Sequence, residues 1–319
     1  MNPTELKNKF LSKYNLLVIL GPTASGKTRF AAEIAYELDG EILSADSRQV
    51  YKDMDLGTGK DYQDYIVHGK QVPYHLIDIV PAGEKYNLFR YQRDFFATYQ
   101  DVVSRNKLPV MCGGSGLYID AIVRNYRLLE VPPNQQLRKQ LEAKSLEELI
   151  DLLKSLKPKL HNKTDIDTKK RVIRAIEIEL YYKEHPAEEP HYPKINAFIF
   201  GLKYDRQQQR QKITLRLKQR LENGMIDEVR RLLDMGLSAE DLFYYGLEYK
   251  YITQYIVGQI DYQTMFSKLN TAIHKFAKRQ MTWFRHMERL GVKIHWIDAQ
   301  LSMEEKKQKF YSILEQNLQ

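Results

Sequence analysis

The sequence GPTASGKT at residues 21–28 has the spacing of a loop that binds phosphate. Glycines at its first and sixth positions let the backbone turn tightly, so successive N–H groups converge on phosphate oxygens. Lys27 adds a mobile positive charge, and the hydroxyl of Thr28 is a ligand that Mg²⁺ accepts. We therefore predict a phosphate site formed by Gly21, Pro22, Thr23, Ala24, Ser25, Gly26, Lys27 and Thr28.

A second polar group, Asp46, Ser47, Arg48 and Gln49, directly follows an apolar run at residues 41–45. If that run is a strand of a parallel sheet, the four residues emerge at its carboxyl edge, where such sheets bind ligands. Asp46 would then face the phosphate loop as a base or a metal ligand. An aspartate at a strand end also caps the following turn, and the residues alone leave both roles open.

A third polar group, GGSGLY at residues 113–118, follows the apolar run at 108–112. It stands where many nucleotide hydrolases carry a carboxylate, and no clear Walker-B residue is present. Its glycines permit close approach of backbone to a substrate, and Ser115 and Tyr118 are available for contacts. Alone, the motif fits an ordinary turn equally well.

The elements that must position these groups alternate between short apolar runs and amphipathic helices, which is typical of a parallel α/β sheet. We predict a P-loop NTPase-like core of this kind. Its first helix begins near Lys27 and has Phe30, Ile34 and Leu38 on one face. The strands are expected at residues 16–20, 41–45, 75–80, 108–112, 196–202 and 292–297.

A smaller helical insertion is predicted at residues 126–192, within a core formed by 1–125 and 193–319. Its helices are expected at 137–156 and 168–182, the second capped by Asp165 or Asp167. Residues 206–289 are predicted to be mostly helical, with breaks at Gly224, Gly236, Gly246 and Gly258.

The composition is that of a globular protein: 28% of the 319 residues are charged and 43% are hydrophobic. No apolar stretch approaches the roughly 20 residues of a membrane span. The first residues contain no apolar signal core, so we expect a cytoplasmic protein. The single cysteine, Cys112, excludes an internal disulfide and is expected in a buried strand.

The net charge of +8 is concentrated in two windows. Residues 154–174 contain eight Lys or Arg against two Asp, and residues 268–289 contain six against one Glu. Such patches are typical of proteins that bind a polyanion, because each neutralised phosphate releases counterions. Solvated helix faces are the alternative that charge alone leaves open.

Taken together, these segments resemble the tRNA dimethylallyltransferases, also called tRNA isopentenyltransferases. The resemblance is carried in family order by GPTASGKT (21–28), EILSADSRQVYKDMDLGTGK (41–60), YHLIDI (74–79), LPVMCGGSGLYI (108–119), KKRVIRAIEI (169–178), LENGMIDEV (221–229) and AKRQMTWFR (277–285). The absence of a C-terminal Cys/His zinc finger in this sequence favours the shorter bacterial form.

The resemblance implies transfer of a dimethylallyl group from dimethylallyl diphosphate to N6 of adenine 37 in tRNA, with Mg²⁺. It implies that the loop and Lys27 hold the departing diphosphate, with Thr23 near the bridging oxygen. Asp46 would take the proton from the adenine amine, and Arg216 matches a family arginine that reaches the diphosphate. Thr28 would be the protein ligand of the metal ion.

The same resemblance implies contacts with the anticodon arm of tRNA and an adenine extruded into a narrow channel. We expect a monomer that does not associate with membranes. The residues matching tRNA contacts in the family are Asp46, Ser47, Arg48, Gln49, Ser115, Arg138, Lys170, Arg171, Val172, Ile173 and Arg174.

Three segments depart from the commoner family pattern: Gly59-Lys60-Asp61, Lys212, and the run FYYGLEYK at residues 243–250.

Three other functions are alternatives: a small-molecule kinase, an adenylate isopentenyltransferase acting on free nucleotide, and a non-catalytic RNA-binding protein. ATP-dependent phosphorylation would identify the kinase. The basic windows argue against a free nucleotide, and the intact Lys27, Thr28 and Asp46 argue against a binder without activity.

Overall fold

The computed structural model describes residues 2–157, 166–185 and 192–319, so Lys159, Lys163 and Asp165 of the first basic window lie outside the described residues. The chain divides into two compact units. The larger comprises Met1–Tyr126 and Lys194–Gln319, and the smaller is Arg127–Pro193.

The elements follow one another as an α/β core, a helical segment and a largely helical C-terminal part. In chain order they are α1 (Pro3–Lys13), β1 (Leu16–Leu20), α2 (Lys27–Glu37), β2 (Gly40–Ala45), β3 (Ile66–Val67), β4 (Lys70–Gln71), β5 (Tyr74–His75), α3 (Leu88–Ser104), β6 (Leu108–Gly113), α4 (Gly116–Val123), α5 (Gln135–Glu142), α6 (Leu146–Leu156), α7 (Lys169–Glu184), β7 (Ala197–Lys203), α8 (Arg206–Glu222), α9 (Met225–Asp234), α10 (Ala239–Tyr244), α11 (Leu247–Ile256), α12 (Tyr262–Arg289), β8 (His295–Asp298) and α13 (Met303–Leu318).

Six parallel strands form the central sheet of the larger unit, in the order β5-β2-β6-β1-β7-β8. Every residue of β1, β2 and β6 is buried, as expected for strands covered by helices on both faces. The predicted parallel α/β core is therefore confirmed. The strands β3 and β4 form a separate antiparallel hairpin.

The register of three neighbouring strands brings the predicted polar groups to one edge. Leu20 of β1 is paired with Gly113 of β6, and Gly113 is also paired with Ala45 of β2. The residues that follow these positions, Gly21, Asp46 and Gly114, consequently leave the sheet side by side. This shared edge explains how three separate motifs contribute to one site.

The predicted strand at residues 75–80 is wrong in length, because β5 comprises Tyr74–His75 alone. Leu76 and Asp78 have positive φ values, 65° and 57°, which no strand residue adopts. Asp78 instead accepts a hydrogen bond from the hydroxyl of Tyr62 at 2.6 Å and another from Lys60. The last strand, β8, also begins later than predicted, since Val292 still bonds to Met287 at the end of α12.

The predicted breaks among the C-terminal helices are confirmed. Gly224, Gly236, Gly246 and Gly258 all have positive φ values and lie between successive helices from α8 to α12. A residue without Cβ adopts this conformation at little cost, so glycine ends or begins each helix. The part of the chain that the structure describes has no helix long and apolar enough to cross a membrane.

The smaller unit packs α5, α6 and α7 around its own apolar core, which includes Leu149, Leu153 and Val172. The single helix predicted at 137–156 is in fact two helices. Ser145 begins the second one, accepting a hydrogen bond from the backbone N–H of Glu148, whose side chain bonds back to the Ser145 amide. Thr168 precedes α7, so Asp167 is not its N-cap; Asp165 lies outside the described residues.

Candidate active site

A cavity of about 360 Å³ lies at the carboxyl edge of the sheet, wholly within the larger unit. Its lining includes residues 23–28, 46–49, 57–59 and 243–248, together with parts of α8 and α12. Asp46, Lys27 and Arg216, which the sequence predicts as functional, all line this cavity. The structure thus brings the phosphate loop and the candidate base together.

The phosphate loop depends on two residues in the left-handed region, Ala24 (φ 60°) and Gly26 (φ 75°). Gly26 is the N-cap of α2 and supplies no side chain to bind the first-turn amides of that helix. These amides and the positive end of the helix dipole make the start of α2 suited to an anion. At Gly21 a Cβ would lie 2.5 Å from the carbonyl oxygen of Leu202, so β7 requires glycine there.

Two glutamines that the sequence analysis missed hold Thr23 by its backbone. The Thr23 N–H donates to Oε1 of Gln280 at 2.8 Å, and the Thr23 carbonyl accepts from the side-chain amide of Gln209. Gln280 also donates from Nε2 to the carbonyl of Gly114 at 2.8 Å. The backbone N–H of Thr23 is therefore already satisfied by a side chain. The sequence did offer one indication of a role for Gln280, because this residue lies in KRQMTWFR, a motif that supports the family resemblance.

Lys27 lies across the loop, with Nζ 3.5 Å from the carbonyl of Pro22. Burial lowers the pKa of Lys27, and nearby Arg216 lowers it further, whereas Cys112 and Asp46 act in the opposite direction. A bound anion would stabilise the charged form of this lysine.

Behind the loop, burial raises the pKa of the Cys112 thiol to about 12, which confirms the buried strand position and leaves the thiol unreactive.

Asp46 both caps its turn and faces the cavity. Its Oδ1 accepts the backbone N–H of Arg48 at 2.8 Å, which leaves the second carboxylate oxygen without a hydrogen bond among the described residues. Ser115 fixes the same turn, because its Oγ accepts the N–H of Ser47 at 2.9 Å and its own N–H donates to the Ala45 carbonyl at 3.1 Å. Ser115 thus positions the turn that carries Asp46.

Two arginines of α8 lie beside the phosphate loop. Burial and the charge of Arg220 lower the pKa of Arg216 to about 10, and no hydrogen-bond acceptor among the described residues pairs with its guanidinium. Arg220 is 8% exposed and donates from Nη2 to both carboxylate oxygens of Asp61 at 3.1 Å. Sequence analysis identified Arg216 and missed Arg220.

The cavity wall at residues 53–61 is held by a buried carboxylate. Glu228, 5% exposed, accepts the backbone N–H groups of Asp55, Leu56 and Gly57 at 2.9, 2.7 and 3.0 Å. The hydroxyl of Tyr249 donates to the same carboxylate at 2.8 Å. This one side chain orders a loop that would otherwise leave three backbone donors unsatisfied.

An aromatic side chain forms part of the opposite wall. Tyr244 is 39% exposed, and the cationic groups of Arg48 and Lys85 lie 5.5 and 6.0 Å from its ring centroid. Its hydroxyl donates to the Tyr86 carbonyl at 3.2 Å, which fixes the ring. A fixed ring flanked by cations is suited to a nucleobase and its phosphate.

Several predicted RNA contacts lie in the smaller unit, and two of them have buried side chains. Val172 and Ile173 are 0% and 5% exposed in the core of that unit, so their side chains do not face an external partner. Arg138 and Arg174 pair with the buried carboxylate of Glu177, the former at 2.7 Å. These pairs neutralise the buried carboxylate, but the two arginine side chains remain 30% and 39% exposed, so their contacts with RNA stay predictions. Lys170 and Arg171 are exposed on α7.

A few side chains in the cavity have oxygen atoms suited to the predicted Mg²⁺. Among the described residues, no three His, Cys, Asp or Glu side chains meet as a ligand cluster. Mg²⁺ at phosphate sites needs only one or two protein oxygens, since substrate phosphates and water complete its shell. The hydroxyl of Thr28 and the carboxylate of Asp46, which both line the cavity, fit that limited requirement.

Comparison with known proteins gives concordant matches. The family model described as IPP transferase matches residues 49–287, and one described as isopentenyl transferase matches residues 14–73. A tRNA dimethylallyltransferase 2 from Bacteroides fragilis is 60% identical over 92% of this chain and 95% of the relative. A tRNA dimethylallyltransferase 1 from Parabacteroides distasonis is 58% identical over 93% and 96%.

Solved structures agree with the fold. A tRNA isopentenylpyrophosphate transferase from Bacillus halodurans superposes with a TM-score of 0.69 at 30% identity, covering 96% of this chain and 97% of that one. A eukaryotic dimethylallyltransferase acting on tRNA gives a TM-score of 0.73 at 22% identity, over 89% and 73% of the two chains. The latter likeness concerns the fold alone.

Proposed function

This chain belongs to the tRNA dimethylallyltransferases, the prenyltransferases that modify tRNA, and we propose that its cavity transfers a dimethylallyl group from dimethylallyl diphosphate to N6 of adenine 37. One observation carries this assignment: the phosphate loop, the carboxylate of Asp46 and the guanidinium of Arg216 line the same cavity. A donor and an acceptor nucleophile can therefore meet there.

The diphosphate would be held by the amides at the start of α2, by Lys27 and by Arg216. When the bond between the dimethylallyl carbon and its oxygen breaks, negative charge accumulates on the departing diphosphate. Fixed cations and amides stabilise that charge without having to reorganise. The partial burial of Lys27 and Arg216 strengthens the interaction, because both lie where water screens charge poorly.

Asp46 would accept a proton from the N6 amine as that nitrogen forms its new bond to the dimethylallyl carbon. The backbone contact with Arg48 occupies one carboxylate oxygen and orients the other toward the reacting nitrogen. Thr23, held by Gln280 and Gln209, would place its hydroxyl near the bridging oxygen of the diphosphate. Base and leaving-group contacts thus lie on rigid, separately braced loops.

Mg²⁺ would be held by Thr28 with the diphosphate oxygens, and by Asp46 through water. When bound, the ion would neutralise charge on the leaving diphosphate. The chain's own part is to present these oxygens at the carboxyl edge of the sheet, where Glu228 and Ser115 keep the neighbouring loops in place.

The tRNA would present its adenine as an unstacked base, since a base within a helical stack cannot reach a recessed carboxylate. Tyr244 and Arg48 at the cavity wall suit a base next to the extruded adenine. The exposed cations of α12 would attract the phosphate backbone; they are Lys268, Lys275, Lys278, Arg279, Arg285 and Arg289, and none forms an ion pair among the described residues.

The direct test is an assay with purified protein, dimethylallyl diphosphate, Mg²⁺ and unmodified tRNA, without ATP. We expect a prenylated adenine in the tRNA digest and release of diphosphate. Transfer to free AMP at a comparable kcat/KM would indicate an adenylate isopentenyltransferase, and phosphorylation that requires ATP would indicate a kinase. Affinity for tRNA should also fall steeply as salt increases.

A further inference from the structure

We propose that Arg220 is a second arginine of the diphosphate site, which Asp61 holds at the cavity wall in a position to bind the leaving group. This inference rests on the proposed function and assigns one more contact to the same site. Arg220 lines the main cavity and also a small adjoining pocket that contains Thr23 and Arg216. It therefore lies next to the residues expected to bind diphosphate.

The first observation is a buried guanidinium with unused donors. Arg220 is 8% exposed, and both of its hydrogen bonds to Asp61 come from Nη2. A guanidinium has more N–H groups than one carboxylate accepts, and among the described residues nothing accepts from Nε or Nη1 of Arg220. These unused N–H groups are not fully enclosed by protein, and Arg220 lines the cavity, so they are accessible there to an anionic partner.

The second observation is that Arg220 and Arg216 converge on Gly59. A Cβ at Gly59 would lie 2.6 Å from Nη2 of Arg220 and 2.7 Å from Nη2 of Arg216. Two cations this close repel each other, and the proximity of Arg220 contributes to the lowered pKa of Arg216. An anion with several oxygens would relieve the repulsion and accept hydrogen bonds from both groups.

The third observation concerns the carboxylates that accompany the arginines. Asp61 faces partly toward solvent, since its side chain is 50% exposed, so its pairing with Arg220 adds little stability by itself. Glu248 lines the same small pocket as both arginines; burial raises its pKa, and the charges of Arg220 and Arg216 offset part of that rise. Asp61 lies in residues 59–61 and Glu248 in residues 243–250, two of the segments that depart from the family pattern. Each departure therefore contributes a carboxylate that interacts with Arg220.

The test measures binding of inorganic diphosphate to the full-length protein by calorimetry, comparing Arg220→Met with Asp61→Asn. If Arg220 contacts the diphosphate, Arg220→Met should weaken binding by about 10- to 100-fold, as expected for a lost charge-assisted hydrogen bond. Asp61→Asn should bind as tightly as the parent or more tightly, because asparagine keeps an oxygen that accepts from Arg220 in its present position but removes the competing negative charge.

A purely structural role predicts a different result. If the Arg220–Asp61 pair only braces the loop, both substitutions should weaken diphosphate binding to a similar extent, and that outcome overturns the proposal. Unchanged binding in Arg220→Met also overturns it while leaving the proposed function intact. Failure of the parent protein to bind diphosphate would overturn both.

A matched control is available on α9. Arg230 pairs with Asp227 at 2.7 Å on an exposed surface, with its side chain 53% exposed. Arg230→Met removes an equivalent ion pair away from the cavity, so it should leave diphosphate affinity unchanged. Thermal unfolding without diphosphate, measured for all variants, reports any general loss of stability separately from the loss of binding.

Discussion

The backbone N–H of Thr23 donates to Oε1 of Gln280 at 2.8 Å, a contact between residues 257 positions apart. Through this hydrogen bond the long helix α12 contacts the phosphate loop. Nε2 of the same side chain donates to the carbonyl of Gly114. One side chain therefore sets the spacing between the loop after β1 and the loop after β6. The geometry of the site depends on this bridge as well as on the residues that touch the substrate.

Replacement of Gln280 by Leu should impair the positioning of Thr23. The substitution leaves the Thr23 N–H and the Gly114 carbonyl without partners, so we expect a loss of about 1–3 kcal/mol in unfolding free energy. Displacement of the loop should lower kcat by about 10²-fold. Gln280→Glu is the comparison: it keeps an acceptor for Thr23 but, when ionised, has no donor for Gly114. If Gln280→Leu retained the parent kcat, the bridge would have no functional role.

Asp46→Asn should separate the two roles of this residue. Asparagine keeps an oxygen for the Arg48 N–H, so the turn should remain folded, but it cannot take the proton from the amine. We expect kcat to fall by about 10² or more, with tRNA affinity retained. Single-turnover kinetics and filter binding measure the two effects. Normal turnover in this variant would exclude Asp46 as the base.

Gly59→Ala and Gly69→Ala form a matched pair. Both glycines have positive φ, 78° and 73°, so each substitution should destabilise the protein by about 1–2 kcal/mol. At Gly59 the new methyl group would also collide with Arg216 and Arg220, whereas at Gly69 no atom lies within 4 Å. Activity should therefore fall strongly in the first variant and persist in the second. Equal activities would contradict the tight packing of the arginines on Gly59.

Glu41 should contribute stability that depends on pH. It is 3% exposed and is paired with Arg105 at 2.8 Å and with His75 at 2.7 Å. The hydrogen bonds from Arg105, followed by that from His75, hold the pKa of Glu41 below its ordinary value. The stabilisation is therefore present above the ordinary carboxyl pKa and is lost as the pH falls through the lower pKa of the folded state.

Glu41→Gln should consequently be less stable than the parent by about 1–3 kcal/mol at neutral pH. This difference should begin to shrink below about pH 4, near the ordinary carboxyl pKa, and should vanish only below the lower pKa of the folded state, where the parent carboxylate is neutral too. Denaturant unfolding at several pH values measures it, and Glu240→Gln, at an exposed position, serves as the control. A difference that stayed constant down to pH 2 would show that Glu41 stabilises the fold without its charge.

The sequence by itself determined the parts of this protein that follow from local order. The phosphate loop is specified by glycine positions within eight residues, and the helix breaks by residues that tolerate positive φ. Asp46 was identified because it follows a predicted strand, and ligands bind at the carboxyl ends of the strands in a parallel sheet. These features need no information about distant segments.

The tertiary structure decided which distant side chains complete the site. Gln280, Gln209, Glu228 and Arg220 come from helices far along the chain, and each is an ordinary polar residue in its local pattern. Packing likewise directed Val172 into a core and ended β5 after two residues. Periodicity shows which face of a helix is apolar, but hydrogen bonds and ion pairs depend on which elements meet, and only the folded chain fixes that.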